Sequence, residues 1–212
     1  MAVTQKRAVR VQHWAGRLLA IAGALLLLLE VASGIYSAGL SELPFSWVLR
    51  PIPFGIGFVL IPLVLLWSYQ YLAGRTPTSA LVGIAFVAAL PVGTIILVGW
   101  GVLGLASGLV PELTVLPVRV DTVFSALLVL FALGITTFGL NFLQNEQTRL
   151  LGGSLLTFVL GWAIPLAVAK LWGVYPEWLS NVGIVSVAIA MIAIGYCFPP
   201  SNVSVDSDLP IV

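Results

Sequence analysis

A chain of 212 residues that is 60% apolar and only 8% charged, with a mean hydropathy of +1.12, cannot clothe itself in a water-soluble surface, since a soluble domain carries about 25% charged residues. The formal charge of +1 gives no basic excess for a nucleic-acid partner. The lone Cys197 excludes an internal disulfide or a thiolate cluster, and the lone His13 excludes a multi-histidine metal or haem site. The length suits one integral membrane domain over residues 1–212 and leaves no room for a separate soluble one.

Six apolar runs follow one another along the chain. The first, residues 18–40, comes after a basic lead holding Lys6, Arg7, Arg10 and Arg17. That lead with Leu18–Leu29 also suits a secretory signal. The apolar residues beyond Glu30, however, make the run long enough to span, so it is read as a retained helix. The second run, 52–73, opens at Pro51 and Pro53 and ends at Gly74-Arg75-Thr76-Pro77. The third covers 79–106, and residues 107–120 read as a loop. The fourth, 121–143, is separated by the polar turn 144–149 from the fifth, 150–172. After Pro176 and Glu177 the sixth covers 179–198, stopped by Pro199 and Pro200, with a short mobile tail over 200–212. Each run is about 20 residues, which at 1.5 Å per residue crosses a ~30 Å hydrocarbon layer. Backbone groups in lipid must be satisfied within the segment, and the runs lack the alternation of barrel strands. The expected fold is therefore all-α, a polytopic transmembrane bundle of about six helices.

With the N-terminus inside, Lys6, Arg7, Arg10, Arg17, Arg75 and Arg149 fall on the inner side and Arg50, Arg119 and Lys170 on the outer. Positive charge follows the cytoplasmic side, so both termini are expected in the cytoplasm. The outer loops each bring a glycine and then a glutamate beside proline, at Glu42, Glu112 and Glu177. This pattern suits either a three-fold helical-hairpin repeat or ordinary interfacial turns.

Glu30 carries the most chemical information. It lies about 20 Å up the helix from Arg17, which by this count is near the bilayer midplane. A carboxylate there is expensive unless it faces the bundle interior or a wet cavity, and such residues serve as proton- or cation-binding groups or as polar glue between helices. Pro62, Pro91 and Pro165 interrupt spans near the same height, Pro91 about 20 Å above Thr78. Proline removes a donor and exposes a carbonyl one turn earlier, a device for opening backbone to a substrate, so these three are read as hinges or helix breaks. Thr94, Thr136 and Thr137 fall near this layer and offer hydroxyls, although threonines also bond to their own backbone. Glu30, Thr94, Thr136 and Thr137 are the substrate- or ion-binding candidates. Lys170 is placed about 11 Å above Glu30 by the same counting, better suited to snorkelling outward than to neutralising it.

Small residues mark close helix packing. Gly104 and Gly108 form a GxxxG step, and Gly152 and Gly153 give the fifth helix a small face, suited to contact within the bundle, in a homo-oligomer or against a membrane-protein partner. Trp47, Trp172 and Trp178 suit an outer aromatic belt, and Trp67, Tyr69 and Tyr71 an inner one. The stretch Arg10-Val11-Gln12-His13-Trp14, with Ser33-Gly34-Ile35-Tyr36 further on, resembles the opening helix of membrane cytochrome b subunits of formate dehydrogenases and hydrogenases. In that family the histidine helps hold a haem with ligands from other helices. This sequence supplies no second histidine, so the resemblance implies a shared helix opening and no haem site. His13 and Trp14 then read as an interfacial pair.

No phosphate-binding loop, zinc-protease motif or nucleophile elbow is present, and no serine has a histidine available inside the membrane, so enzyme chemistry is disfavoured and no cofactor is implied. Two functions stay open in a cell membrane. One is a small-solute or ion transporter or channel-like protein built on Glu30. The other is a non-catalytic membrane subunit or scaffold that packs through its glycine faces.

Overall fold

The computed structural model describes residues 2–37, 51–73, 77–106, 120–173 and 176–198. Within them the chain is all-α, with no strand and six helices long and apolar enough to cross a membrane. The helices are α1 (Ala2–Ser37), α2 (Pro51–Ala73), α3 (Pro77–Ala106), α4 (Val120–Leu143), α5 (Arg149–Trp172) and α6 (Glu177–Cys197), with a 3-10 turn at Glu146–Thr148. The first two expected outer loops with Gly108, residues 174–175 of the third and the C-terminal tail from 199 lie outside the described residues.

The helices begin and end for local reasons. Nothing in the basic lead breaks a helix, so α1 starts at Ala2 and its membrane-length portion is His13–Ser33, beginning earlier than the apolar run alone suggests. Pro51, Pro77 and Pro176 stand at or just before helix starts, where a missing N–H costs nothing. Between α4 and α5 the Asn145 side chain accepts from the Gln147 N–H at 3.1 Å. The Thr148 hydroxyl donates to the Phe142 carbonyl at 2.9 Å, tying the turn back to α4. Gly173 ends α5 with φ +65°, donating its N–H to the Ala169 carbonyl at 3.1 Å. That left-handed cap is open to glycine and strained for most other residues. Pro62, Pro91 and Pro165 all sit inside continuous helices, so the expected breaks do not divide α2, α3 or α5. Each still withholds a donor from the carbonyl four residues earlier.

The described residues group into two compact units, one from Met1–Leu60 and Gly139–Val212, the other Ile61–Phe138. In the first unit α6 packs against α1 and also against α5. Both contacts are backbone on backbone, because glycine stands where the helices meet. A Cβ at Gly16 would lie 2.9 Å from the Gly195 carbonyl oxygen and 2.7 Å from that of Phe198, and one at Gly195 would strike the Gly16 carbonyl and come within 2.7 Å of the Ala20 nitrogen. Further along, a Cβ at Gly23 would lie 2.7 Å from the Ala188 carbonyl oxygen and 2.9 Å from the Ile192 nitrogen. Between α5 and α6, Gly183 lies against the Gly161 carbonyl and would put a Cβ 2.8 Å from Pro165 Cγ. Pro165 is the residue that leaves the Gly161 carbonyl without its helical N–H, and the Gly183 Cα–H is the kind of weak donor that settles against such an oxygen. Gly152 likewise lies on α4, 2.6 Å from the Gly139 carbonyl by the same measure. The Phe58 ring packs against Phe54, Phe158 and Trp162 with centroids 5.0 to 5.7 Å apart.

The second unit contains one glycine seam of the same kind. On α3 and α4, a Cβ at Gly134 would lie 2.7 Å from the Val87 nitrogen and 2.8 Å from the Gly83 carbonyl oxygen. One at Gly83 would lie 2.9 Å from the Phe138 ring and one at Gly93 2.5 Å from the Leu127 side chain, so these two helices run antiparallel. Around both units the buried share of each span's most apolar window is between 22% and 44%. The remaining faces present Leu28, Val59, Ile95, Val129, Leu160 and Leu171 outward. Water would reject such a shell, whereas lipid accepts it without a hydrophobic penalty.

Candidate functional site

Glu30 lies in the C-terminal half of α1 and is 8% exposed. Among the described residues it is the one buried ionisable side chain, the other buried polar residues being Ser68, Thr148 and Ser154. The serines and Thr148 turn their hydroxyls onto backbone carbonyls, Ser68 onto Val64, Ser154 onto Leu150 and Thr148 onto Phe142. A hydroxyl so bonded is a local fastening of the helix.

The seams fix the height of Glu30 within its unit. Gly16 meets Gly195 and Phe198, and Gly23 meets Ala188 and Ile192, so the antiparallel register brings Glu30 level with residues 181–184 of α6. On the other flank of α6, Gly183 meets Gly161 and Pro165. Glu30 and Pro165 therefore share a level, about 9 Å below the start of α6 at Glu177. The same registers align residue 15 of α1, Arg149 and Cys197 at one end, and residue 35 of α1 and Glu177 at the other, about 30 Å apart. Glu30 thus stands about 22 Å along the helix axes from the level of Arg149 and about 8 Å from that of Glu177.

The threonines do not form a layer with one another. The register of α3 and α4 sets Gly93 against Leu127 and Gly83 against Phe138. Thr94 and the Thr136-Thr137 pair are therefore about 14 Å apart along the helix axes. Thr94 donates to the Leu90 carbonyl and Thr137 to the Leu133 carbonyl, each at 2.8 Å, and Thr136 is half-buried. Pro62 and Pro91 are half-buried in the second unit, and Pro165 is buried in the first. Lys170 is exposed near the end of α5, above the Glu30 level. Trp172 and Trp178 are exposed at the same end, and Arg17 at the other end lies over the Trp14 ring at 5.8 Å.

Of the packing candidates, Gly152 is buried in the α4–α5 contact, and a Cβ at Gly153 would meet nothing within 4 Å. Gly104 falls on α3. Sequence reading passed over Gly16, Gly23, Gly183 and Gly195. Their signal was available as a seven-residue interval from Gly16 to Gly23, which continues to Glu30. No metal-sized group of three or more histidine, cysteine, aspartate or glutamate side chains occurs among the described residues. No family model, curated protein or solved structure matches the chain.

Proposed function

We propose that this chain is a multi-pass transporter or channel-like protein for a small solute or ion, with Glu30 as its proton- or cation-binding carboxylate and both termini in the cytoplasm. The observation that carries this reading is the burial of Glu30 inside an otherwise apolar membrane-length helix. A carboxylate in such a place lowers the stability of the span by several kcal/mol unless it is compensated, and ionisable residues kept at that expense mark ion paths and coupling sites.

The test is flux into liposomes reconstituted with the purified protein, driven by a solute or cation gradient across a panel of alkali cations, protons and small organic solutes. Wild-type protein is expected to give a saturable flux that Glu30→Gln abolishes while its helical circular dichroism and detergent elution volume stay the same. Equal flux from the variant, or no flux from the wild type for any member of the panel, overturns the reading. Stoichiometric co-purification with a membrane partner and no flux would favour the scaffold function instead.

A further inference from the structure

The cations at the start of α1 share one side of the helix by register. Between Ala2 and Leu29 the helix holds Lys6, Arg7, Arg10 and Arg17 and no aspartate or glutamate. At 3.6 residues per turn, positions 6, 10, 13 and 17 fall within about 60° of one another around the axis, and positions 7 and 14 lie next to them. The helix runs without a break into its membrane-length portion, His13–Ser33. On that portion His13, Trp14 and Arg17 are exposed, and the same side runs on through the exposed Ile21, Leu25 and Leu28. The opposite side, at Ala15, Leu19, Ala22 and Leu26, is buried. One outward side of α1 is thus cationic at its start and apolar beyond it.

The order of these residues along the axis matches the layers of a lipid. Position 10 stands about 4–5 Å before His13 and Arg17 about 6 Å beyond it. The headgroup layer is about 5–7 Å deep on each side of the hydrocarbon, so position 10 falls within it. The Arg17 stem is long enough to return its guanidinium there. That guanidinium lies over the Trp14 ring at 5.8 Å from the centroid, which pairs a weakly hydrated cation with an interface-seeking ring. An arginine fork takes phosphate oxygens two at a time. From Arg17 to Leu28 the helix then offers an apolar strip about 16 Å long for acyl chains. Charge selects the headgroup. A zwitterionic lipid brings its own cation against these, and no carboxylate on this part of α1 offsets them. Within the unit, the described acid near this level is Glu146, exposed in the α4–α5 turn three residues before Arg149.

We propose that this side of α1 binds an anionic phospholipid, with its phosphate at the level between positions 10 and 17, beside Trp14, and its chains along Ile21, Leu25 and Leu28. The site lies about 20 Å along α1 from Glu30 and does not depend on the role of that residue. The experiment measures, by electron spin resonance, the immobilised fractions of spin-labelled phosphatidylglycerol and spin-labelled phosphatidylcholine in phosphatidylcholine vesicles holding the full-length protein. Wild type is expected to immobilise phosphatidylglycerol in preference, and the preference should shrink at high salt. Arg10→Gln and Arg17→Gln should each lower the relative affinity by up to about fivefold, and the double variant should remove the preference. Arg149→Gln takes the same charge from the same level of α5 and should leave the preference as in wild type. An equal loss from Arg149→Gln would mean that charge at large, and not this side of α1, attracts the lipid, and would overturn the proposal. So would a wild type with no preference, or displacement of the labelled lipid by millimolar glycerol phosphate, which would make the ligand a soluble phosphate. A preference that appears only when Asp206 and Asp208 are changed to asparagine would assign this side to the chain's own tail and overturn the lipid as its occupant.

Discussion

Gly183→Ala tests whether the helices of the first unit are held by backbone contact. Two effects oppose each other. Alanine is the better helix former, worth about 1 kcal/mol over glycine in a helix interior. Against this, the new Cβ would press on the Gly161 carbonyl and stand 2.8 Å from Pro165 Cγ. Neither neighbour can swing aside, one being helix backbone and the other a ring fused to it. Relief therefore requires α5 and α6 to separate, which thins the dispersion contacts along the seam. Overpacking of this kind costs about 1–3 kcal/mol. The clash is severe enough to place Gly183→Ala at the upper end, for a net loss of about 1–2 kcal/mol. Gly153→Ala is the matched control, on α5 with nothing within 4 Å of its would-be Cβ. It should gain up to about 1 kcal/mol. Unfolding in mixed micelles by titration with sodium dodecyl sulfate, followed by tryptophan fluorescence, should separate the two variants by about 2–3 kcal/mol. Equal shifts, or a Gly183→Ala protein as stable as wild type, would refute the backbone-contact account.

Other outcomes follow from single side chains. Thr148→Val removes the hydroxyl that donates to Phe142 at 2.9 Å and leaves that bond unmade, so the same titration should show a loss of about 1 kcal/mol. Thr94→Val and Thr137→Val delete hydroxyls already bonded within their own helices. Each should leave liposome flux within about twofold of wild type, because the change is confined to a local contact. Topology is checked by single cysteines in a Cys197→Ser background. Gln147→Cys should react with a membrane-impermeant maleimide only when the inner side is opened, and Glu177→Cys should react from outside in intact cells, both positions being exposed.

Hydropathy made the spans legible, because lipid imposes one requirement on every residue of a run, and that requirement survives errors of several residues at either end. Heights within the spans were harder to read. A height counted from Arg17 or Thr78 holds only if a helix starts at the membrane edge. Helix α1 violates that assumption, since it runs through its basic lead from Ala2. Thr94 and Thr136 looked level for the same reason, and the α3–α4 register parts them. Glycine positions were visible, but their partners were not. Gly152 and Gly153 are neighbours in sequence and point about 100° apart on a helix, so only the packing tells which one lies in a contact. The polar step at Glu30 was detected as a costly residue, whereas its place as the third member of the Gly16–Gly23 series requires the α6 contacts to be seen.

The pairing of α1 with α6 has a consequence for biosynthesis. Among the described helices, the one that carries Glu30 precedes α6, against which it packs, with four others between them. During synthesis α1 enters the membrane with its glycine face and its carboxylate uncovered, and it must wait for the rest of the chain to emerge before Gly195 and Ala188 arrive. Contacts so distant in sequence close slowly, and the uncovered intermediate is open to wrong partners in the meantime. A chain interrupted before α6 would leave the Gly16–Gly23 face of α1 uncovered in the bilayer, a feature by which membrane quality control can distinguish unfinished protein from finished.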